Sequence, residues 1–249
     1  LEKSGLNIPY VSKIHGSALN FTVAADGKRW IPFVKKGLSG AQKIICGSNY
    51  MKYRFVELLG DSYNIEVIPC GVDTKLFSSG IRQKFRNRII YCGNILDTKG
   101  IAELLTIYPH LKKEYPDLEL YIAGKGTYEP NLNGMLKAMM NDDVDEYVKW
   151  ATKDNFIDSS INIRRYFQGC QTDGIKLLGY INHNTLKEEL ASADIMVAPS
   201  KAPEAFGLVT IESMAAGVYP IVSNHSGLKN VVDIVAETDN EIASDMRIH

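Results

Sequence analysis

Cysteine is scarce in this 249-residue sequence, and none of its four cysteines belongs to a C-x-x-C pair. That absence argues against the common zinc and dithiol redox motifs, which need two thiols at close spacing. Cys46, Cys70 and Cys92 lie in or beside apolar strand-like runs, where cysteine serves as a small hydrophobic residue. We therefore expect no cysteine-bound metal and a reducing compartment.

A strong charge of either sign is also lacking. The sequence has 28 Lys and Arg against 29 Asp and Glu, and its pI is about 6.6. Without a basic excess there is no electrostatic basis for nucleic-acid binding, so we expect no nucleic-acid partner. No apolar run is long enough to span a bilayer, and no signal peptide is recognisable. We predict a cytoplasmic protein and leave peripheral membrane contact open.

Short apolar runs alternate with helical patterns along the chain. Continuous β-branched runs of this kind are typical of strands that are buried on both faces of a parallel sheet. The strand-like runs are Tyr10–Ile14, Lys43–Cys46, Ile65–Pro69, Arg88–Cys92, Leu118–Ala123, Ile175–Leu178, Asp194–Ala198 and Tyr219–Ser223. The helical patterns are Asn49–Leu59, Ile101–Tyr115, Thr185–Ser192 and Leu208–Ala216. The alternation predicts a doubly wound α/β fold.

The composition predicts two domains and an insert. A polar, basic stretch lacks strand character and places a boundary near residue 82, between domains at 1–82 and 83–237, with a tail at 238–249. Residues 127–172 separate two strands by more than a loop and one helix need, which predicts a helical insert. The chain lacks an initiating Met and opens almost at once on a strand, so we expect a piece of a longer protein.

Glycine-containing loops follow three of the predicted strands. After Arg88–Cys92, Gly93 permits a sharp turn, Asp97 or Thr98 is suited to capping the next helix, and Lys99 is placed to reach the sheet edge. A capped helix with a surface lysine is the plainer interpretation.

The two later loops give weaker signals. Gly124 and Gly126 follow the next strand and suit either a tight turn or close approach of a ligand. In the third loop, Tyr180 or Ile181 is suited to covering a nucleobase, whereas His183 is interpreted as a cap or a solvated loop residue.

The segment Glu204-Ala-Phe-Gly-Leu-Val-Thr-Ile-Glu212 places two carboxylates eight residues apart. Glu204 lies in a loop next to Phe206 and Gly207, and Glu212 lies on the predicted helix. A helix rise of about 1.5 Å per residue puts the two acids roughly 8–12 Å apart, which suits a sugar ring and a ribose. The amides of Leu208 and Val209 would face a diphosphate between them. Two solvated helix carboxylates are the plainer alternative.

Taken in order, these motifs resemble family 4 of the retaining nucleotide-sugar glycosyltransferases, which have the GT-B fold. The resemblance rests on Gly93…Lys99-Gly100, Gly179-Tyr-Ile, Pro199-Ser200 and Glu204-x7-Glu212-x4-Gly217, and it runs from about residue 8 to residue 235. It implies two Rossmann-like domains, the first incomplete at its start, and the absence of a C-terminal crossover helix.

The resemblance also implies the roles of individual residues. Glu204 and His15 would contact the transferred sugar, and Glu212 would hold the ribose hydroxyls. Lys99, with the amides of Leu208 and Val209, would neutralise the leaving diphosphate. The donor would be a nucleotide diphosphate sugar, with a UDP-sugar favoured and GDP or ADP possible. The carbohydrate, lipid or other acceptor stays unidentified, and no cofactor or metal would be required.

Asn94 stands where the family often has an arginine, so one diphosphate cation is missing. This departure, with the insert, keeps a second hypothesis open: a catalytically impaired nucleotide-sugar-binding protein of the same fold. A third hypothesis, an NAD-dependent oxidoreductase, fits the α/β alternation but lacks the G-x-G-x-x-G fingerprint.

Overall fold

The computed structural model describes residues 8–16, 18–78, 86–153, 163–167 and 172–249. The chain forms two compact units. The first contains the residues up to Gly71 together with Pro203–Leu208 and Asn224–Asn240, and the second contains Val72–Ala202, Val209–Ser223 and Glu241–His249. Two short segments of the predicted second domain are therefore grouped with the first unit. The predicted boundary at residue 82 lies outside the described residues.

The first unit is built on a three-stranded parallel sheet in the order β1-β2-β3. The strands are β1 (Tyr10–Ile14), β2 (Ala41–Cys46) and β3 (Ile65–Val67), and a π-helix (Ala18–Val23), α1 (Gly27–Leu38) and α2 (Asn49–Leu59) lie between them. The buried side chains of α2 recur every fourth residue, at Met51, Phe55 and Leu59, so one face of the helix joins the core.

The second unit contains a six-stranded sheet whose described pairings are all parallel. Its strands are β4 (Arg88–Cys92), β5 (Glu119–Ala123), β6 (Ile175–Gly179), β7 (Ile195–Ala198), β8 (Tyr219–Ser223) and β9 (Arg247–Ile248). Their spatial order is β6-β5-β4-β7-β8-β9. The chain builds outward from β4 in one direction and then from β7 in the other, so the topological switch point lies between β4 and β7. Ligands of doubly wound sheets bind at the carboxyl edge of that point.

The remaining helices follow in chain order. They are α3 (Thr74–Ser78), α4 (Ile101–Glu114), α5 (Glu129–Met140), α6 (Val144–Thr152), α7 (Ile163–Tyr166), α8 (His183–Ala191), α9 (Leu208–Ala215), α10 (Ser226–Ala236) and α11 (Asn240–Asp245). None of the helices in the described ranges is long and apolar enough to cross a bilayer.

The region predicted as a helical insert contains α5, α6 and α7. Tyr147 of α6 is fully buried and its hydroxyl lies 2.9 Å from that of Thr106 on α4. The ring of Phe167 lies 4.8 Å from the Tyr147 ring. These contacts attach the insert helices to the core of the second unit. The segment predicted as a tail contains α11 and also β9, which extends the sheet beside β8.

Candidate functional site

The loops after β4 and β7 flank the switch point and are joined by a backbone hydrogen bond. Gly93 and Asn94 are exposed directly after β4, and the loop continues into a 3₁₀ turn at Asp97–Lys99. The backbone N–H of Lys201, in the loop after β7, donates to the carbonyl oxygen of Thr98 at 2.8 Å. The ammonium of Lys201 also lies 2.6 Å from the Glu103 carboxylate in the first turn of α4.

Gly100 makes this close approach possible. Its φ is +69°, and a Cβ there would overlap the carbonyl oxygen of Pro199. α4 begins at Ile101 with Gly100 at the N-cap position and no side-chain capping bond. The prediction that Asp97 or Thr98 caps this helix is therefore wrong, because the 3₁₀ turn and a left-handed glycine intervene. Lys99, which precedes Gly100, is half-buried.

The loops after β4, β5 and β6 also pack backbone to backbone. Gly124 has a φ of +149°, and a Cβ there would overlap the carbonyl oxygen of Gly93. A Cβ on Gly126 would likewise overlap the carbonyl oxygen of Ile95. The N–H of Gly124 donates to the carbonyl oxygen of Gly179 at 2.8 Å. These glycines therefore serve loop-to-loop packing at the carboxyl edge of the sheet.

Glu212 on α9 is 9% exposed and lies beside His183, with Nδ1 of the imidazole 3.6 Å from Oε1 of the carboxylate. Burial raises the pKa of Glu212, and the facing His183 partly opposes that rise. Burial, and after it the charge of Glu212, raises the pKa of Cys92 to about 12. The carboxylate is thus held near the carboxyl end of β4, at the edge where the glycine loops meet.

His183 is the residue whose place the sequence pattern missed. It is the first residue of α8, and Asn182 caps that helix by accepting a hydrogen bond from the N–H of Thr185 at 3.1 Å. The cap therefore belongs to Asn182, whereas the predicted solvation of His183 is confirmed, since its side chain is 72% exposed. The edge of the His183 ring faces Phe77, with ring centroids 6.4 Å apart. No local motif signals the approach to Glu212, which depends on tertiary packing.

Two further predicted residues follow β6. Tyr180 is 72% exposed, and Ile181 is half-buried.

The start of α9 carries two more of the predicted residues. Leu208, the first residue of α9, is exposed and follows Gly207, whose φ is +91°. Val209 is half-buried in the first turn of that helix.

Within the first unit, the loop after β1 lies against the segment that carries Glu204. His15 is exposed, and the next residue, Gly16, is buried. A Cβ on Gly16 would lie 2.7 Å from that of Ala205. The Ser48 hydroxyl donates to the carbonyl oxygen of Ala205 at 2.6 Å. The structure therefore brings the His15 loop next to the Glu204 segment.

The other side of this segment is held by the start of α10. The backbone N–H of Glu204 donates to the Ser226 hydroxyl at 2.9 Å, and its carbonyl oxygen accepts the N–H of Gly227 at 2.9 Å. A Cβ on Gly227 would overlap the backbone of Ala205. Ala205 is thus packed between two glycines, while Glu204 is half-buried and Phe206 is buried.

The predicted site residues fall into two groups, one in each unit. The group at the carboxyl edge of the second sheet comprises Gly93, Asn94, Lys99, Gly124, Tyr180, Ile181, Val209 and Glu212. The group in the first unit comprises His15, Glu204, Phe206, Gly207 and Leu208. Across the described ranges, no three His, Cys, Asp or Glu side chains are grouped so as to hold a metal ion.

Two family models and several known proteins are similar to this chain. Residues 1–76 match the family described as Glycosyltransferase Family 4, and residues 167–236 match Glycosyl transferases group 1. The glycogen synthase of Mycobacterium tuberculosis is 26% identical over 233 residues, which is 91% of this chain and 49% of that protein. Both matched families are glycosyltransferases.

A further relative gives a similar match, and a solved structure shares the fold. A GDP-mannose-dependent phosphatidylinositol monomannoside mannosyltransferase of Corynebacterium glutamicum is 27% identical over 72% of this chain and 43% of that protein. Anabaena HepE, solved with UDP and glucose, superposes with a TM-score of 0.60 at 17% identity, covering 96% of this chain and 65% of that one. The predicted α/β, GT-B-type fold is confirmed. The chain spans about half the length of the first curated relative.

Proposed function

We propose that this chain binds a nucleotide diphosphate sugar at the carboxyl edge of the second sheet and transfers the sugar to an acceptor. The buried Glu212 carboxylate beside His183 carries the proposal, because the pair lies at the sheet edge where doubly wound folds bind nucleotides. A carboxylate there is suited to accept two hydrogen bonds from ribose hydroxyls. The matches to two glycosyltransferase family models support sugar transfer, and the UDP bound to Anabaena HepE supports a nucleotide-linked donor.

The loops around the switch point supply the rest of the donor site. Tyr180 offers an exposed ring to the nucleobase, and the backbone at Gly93 and Asn94 is exposed at the same edge of the sheet. Lys99 and the amides at the start of α9 stabilise the diphosphate. We propose a UDP-sugar as the favoured donor, in keeping with the UDP bound to Anabaena HepE. The GDP-mannose dependence of the Corynebacterium relative makes a GDP-sugar the first competitor.

The proposed reaction is metal-independent and retains the anomeric configuration. The bond between the anomeric carbon and the diphosphate oxygen breaks, and the acceptor oxygen forms its new bond on the same face of the sugar. The leaving diphosphate takes the acceptor's proton, so no protein side chain is needed as the base. Glu204 and His15 hold the sugar hydroxyls as positive charge develops on the ring, and Lys99 stabilises the departing negative charge.

Titration calorimetry tests the donor site with the chain as it stands. UDP, GDP, ADP and the matching sugar nucleotides are titrated in the presence of EDTA, and we expect one of them to bind. Glu212→Gln weakens that binding at least about tenfold, because hydrogen bonds to a charged acceptor contribute roughly 1.5–3 kcal/mol. Glu241→Gln, an exposed carboxylate on α11, is the matched control and leaves binding unchanged. Absence of binding by every nucleotide would overturn the proposal.

Turnover is measured separately, as release of nucleoside diphosphate from the bound sugar nucleotide. Lys99→Met is expected to slow release by about 10²-fold or more, since one donor to developing negative charge contributes that much. The uncharged Asn94 favours the second candidate function, a donor-binding protein without turnover. Tight, Glu212-dependent binding with no release in the presence of varied acceptors would support that candidate.

A further inference from the structure

The helix α1 has a composition unlike that of any other helix described. It carries four cations and no carboxylate between Gly27 and Leu38. Its inner face packs on the core of the first unit through apolar side chains spaced three or four residues apart, namely Trp30, Ile31, Val34 and Leu38. That face accounts for the position of α1 in the fold. The opposite face has no such role.

The opposite face is exposed and combines cations with an aromatic ring. Arg29, Pro32, Phe33 and Lys36 follow the spacing i, i+3, i+4 and i+7, so they form one stripe along the helix. Lys28 and Lys35 flank this stripe and are also exposed. We call these six residues the basic face of α1. Phe33, in its middle, is 68% exposed.

The aromatic and cationic groups of the basic face lie close together. The Phe33 ring centroid is 6.2 Å from that of the half-buried Trp30, and the Arg29 guanidinium lies 4.9 Å from the Trp30 centroid. Across the part of the chain that the structure describes, no ion pair engages Lys28, Arg29, Lys35 or Lys36. Asp26 caps the start of α1 beside Arg29, so the face presents a net positive charge, with one neighbouring carboxylate, around an exposed aromatic residue.

We propose that the basic face of α1 binds the surface of a membrane that contains anionic phospholipid. A helix with cations on its rim and aromatic side chains between them lies in the plane of the headgroup region. Phe33 enters the boundary of the acyl chains, and the lysine stems extend back so that their ammonium groups meet lipid phosphates. The aromatic residue favours lipid over duplex DNA, because a surface that contacts only the phosphate backbone gains nothing from burying Phe33. This surface is independent of the proposed donor site.

Vesicle sedimentation tests the proposal with the whole chain. Vesicles of phosphatidylcholine with 30–40% phosphatidylglycerol, roughly the anionic content that generates a strong surface potential, are expected to bind the protein. Pure phosphatidylcholine vesicles bind it far less. Each cation near an anionic surface changes partitioning about fivefold, so Lys35→Gln with Lys36→Gln lowers it roughly 25-fold. Phe33→Ser lowers it roughly tenfold through the lost apolar contact.

Matched variants separate the surface from general charge and folding. Lys113→Gln with Lys137→Gln removes two exposed cations from the second unit, and Tyr53→Ser removes an exposed aromatic residue from α2; neither changes partitioning. Glu212→Gln keeps full vesicle binding, so failure of the donor proposal is distinguishable. Equal binding to neutral vesicles or to a DNA duplex would overturn the inference. So would a dimer that Phe33→Ser dissociates, because a second copy would then cover this face.

Discussion

The Ser48 hydroxyl donates a 2.6 Å hydrogen bond to the carbonyl oxygen of Ala205, a residue 157 positions later in the chain. The Ser48 hydroxyl oxygen also accepts a hydrogen bond from the N–H of Met51 at 3.1 Å and so caps α2. One side chain therefore begins a helix and also holds the segment that carries Glu204. Because both bonds are made by one hydroxyl group, a single substitution measures their combined contribution.

Ser48→Ala is expected to lower the free energy of unfolding by about 2 kcal/mol. Loss of a helix N-cap costs about 1 kcal/mol, and leaving the half-buried Ala205 carbonyl without its donor adds up to about the same amount. Urea unfolding monitored by circular dichroism gives the value. Ser39→Ala removes a hydroxyl that donates to Lys36 at the surface and is expected to stay within about 0.5 kcal/mol of the parent. Equal losses for the two variants would contradict the assignment.

Two helix glycines, Gly37 and Gly227, are expected to respond in opposite ways to substitution by alanine. Gly37 in α1 has open space where a Cβ would stand, so Gly37→Ala is expected to raise stability by up to about 1 kcal/mol through helix propensity. Gly227 in α10 has the Ala205 backbone there, so Gly227→Ala is expected to cost about 2 kcal/mol despite the same propensity gain. Thermal unfolding of the pair measures both signs. A stabilised Gly227→Ala protein would refute the contact.

Gly100 and Gly179 separate backbone strain from steric overlap at the candidate site. Both have positive φ, at +69° and +66°, but only Gly100 has a carbonyl oxygen where the Cβ would be. Gly179→Ala is expected to cost about 1–2 kcal/mol from the left-handed conformation alone. Gly100→Ala is expected to cost more and to weaken nucleotide binding at least about tenfold, because the loop after β7 must move. Calorimetry with the identified nucleotide distinguishes the two.

The buried Glu212 predicts a specific dependence of stability on pH. Burial raises the pKa of Glu212, so the folded state binds a proton more readily than the unfolded state. Stability from this group is complete below the ordinary Glu pKa of about 4.3 and is lost as pH rises through the folded-state value. The Glu212→Gln variant has no carboxyl group to ionise at this position, so it does not lose this stability as pH rises.

In the absence of nucleotide, Glu212→Gln is therefore expected to gain stability relative to the parent as pH increases from 4 to 8. Urea unfolding across that range provides the measurement. If the free energy of unfolding of the two proteins changed with pH in the same way, ionisation of Glu212 would carry no cost in the folded state, and the prediction would be wrong. The variant that binds donor less well is thus expected to be the more stable one at neutral pH.

Several elements were predictable because their signals are local. The helix Asn49–Leu59 has the predicted bounds. Ser48 caps its start, and Gly60, whose φ is +96°, follows its last residue. The strand Arg88–Cys92 also has the predicted bounds, because the whole run is buried at the centre of a parallel sheet. The predicted fold and family followed from the order of such elements and of the glycine loops between them.

Other features depended on contacts that no short pattern contains. α1 is absent from the predicted helices, since Pro32 and two glycines interrupt it, yet tertiary packing of its apolar face stabilises it. The place of His183 beside Glu212 depends on contact between α8 and α9, two helices that follow different strands. The assignment of Gly124 and Gly126 to loop packing likewise required the backbone of a neighbouring loop. The predicted roles of Glu204 and His15 stay predictions.

The pairing of β4 with β7 has a consequence for how the protein folds. The Arg88 N–H reaches the Asp194 carboxylate across 106 residues, whereas the Arg88 guanidinium reaches Glu119 on β5 across only 31. Closing the longer loop costs more chain entropy, so the β4–β5 half is expected to assemble before the β4–β7 junction forms. The proposed nucleotide site lies at that junction. Nucleotide binding would then appear only in the last kinetic phase of refolding, which makes the ligand a reporter of completed assembly.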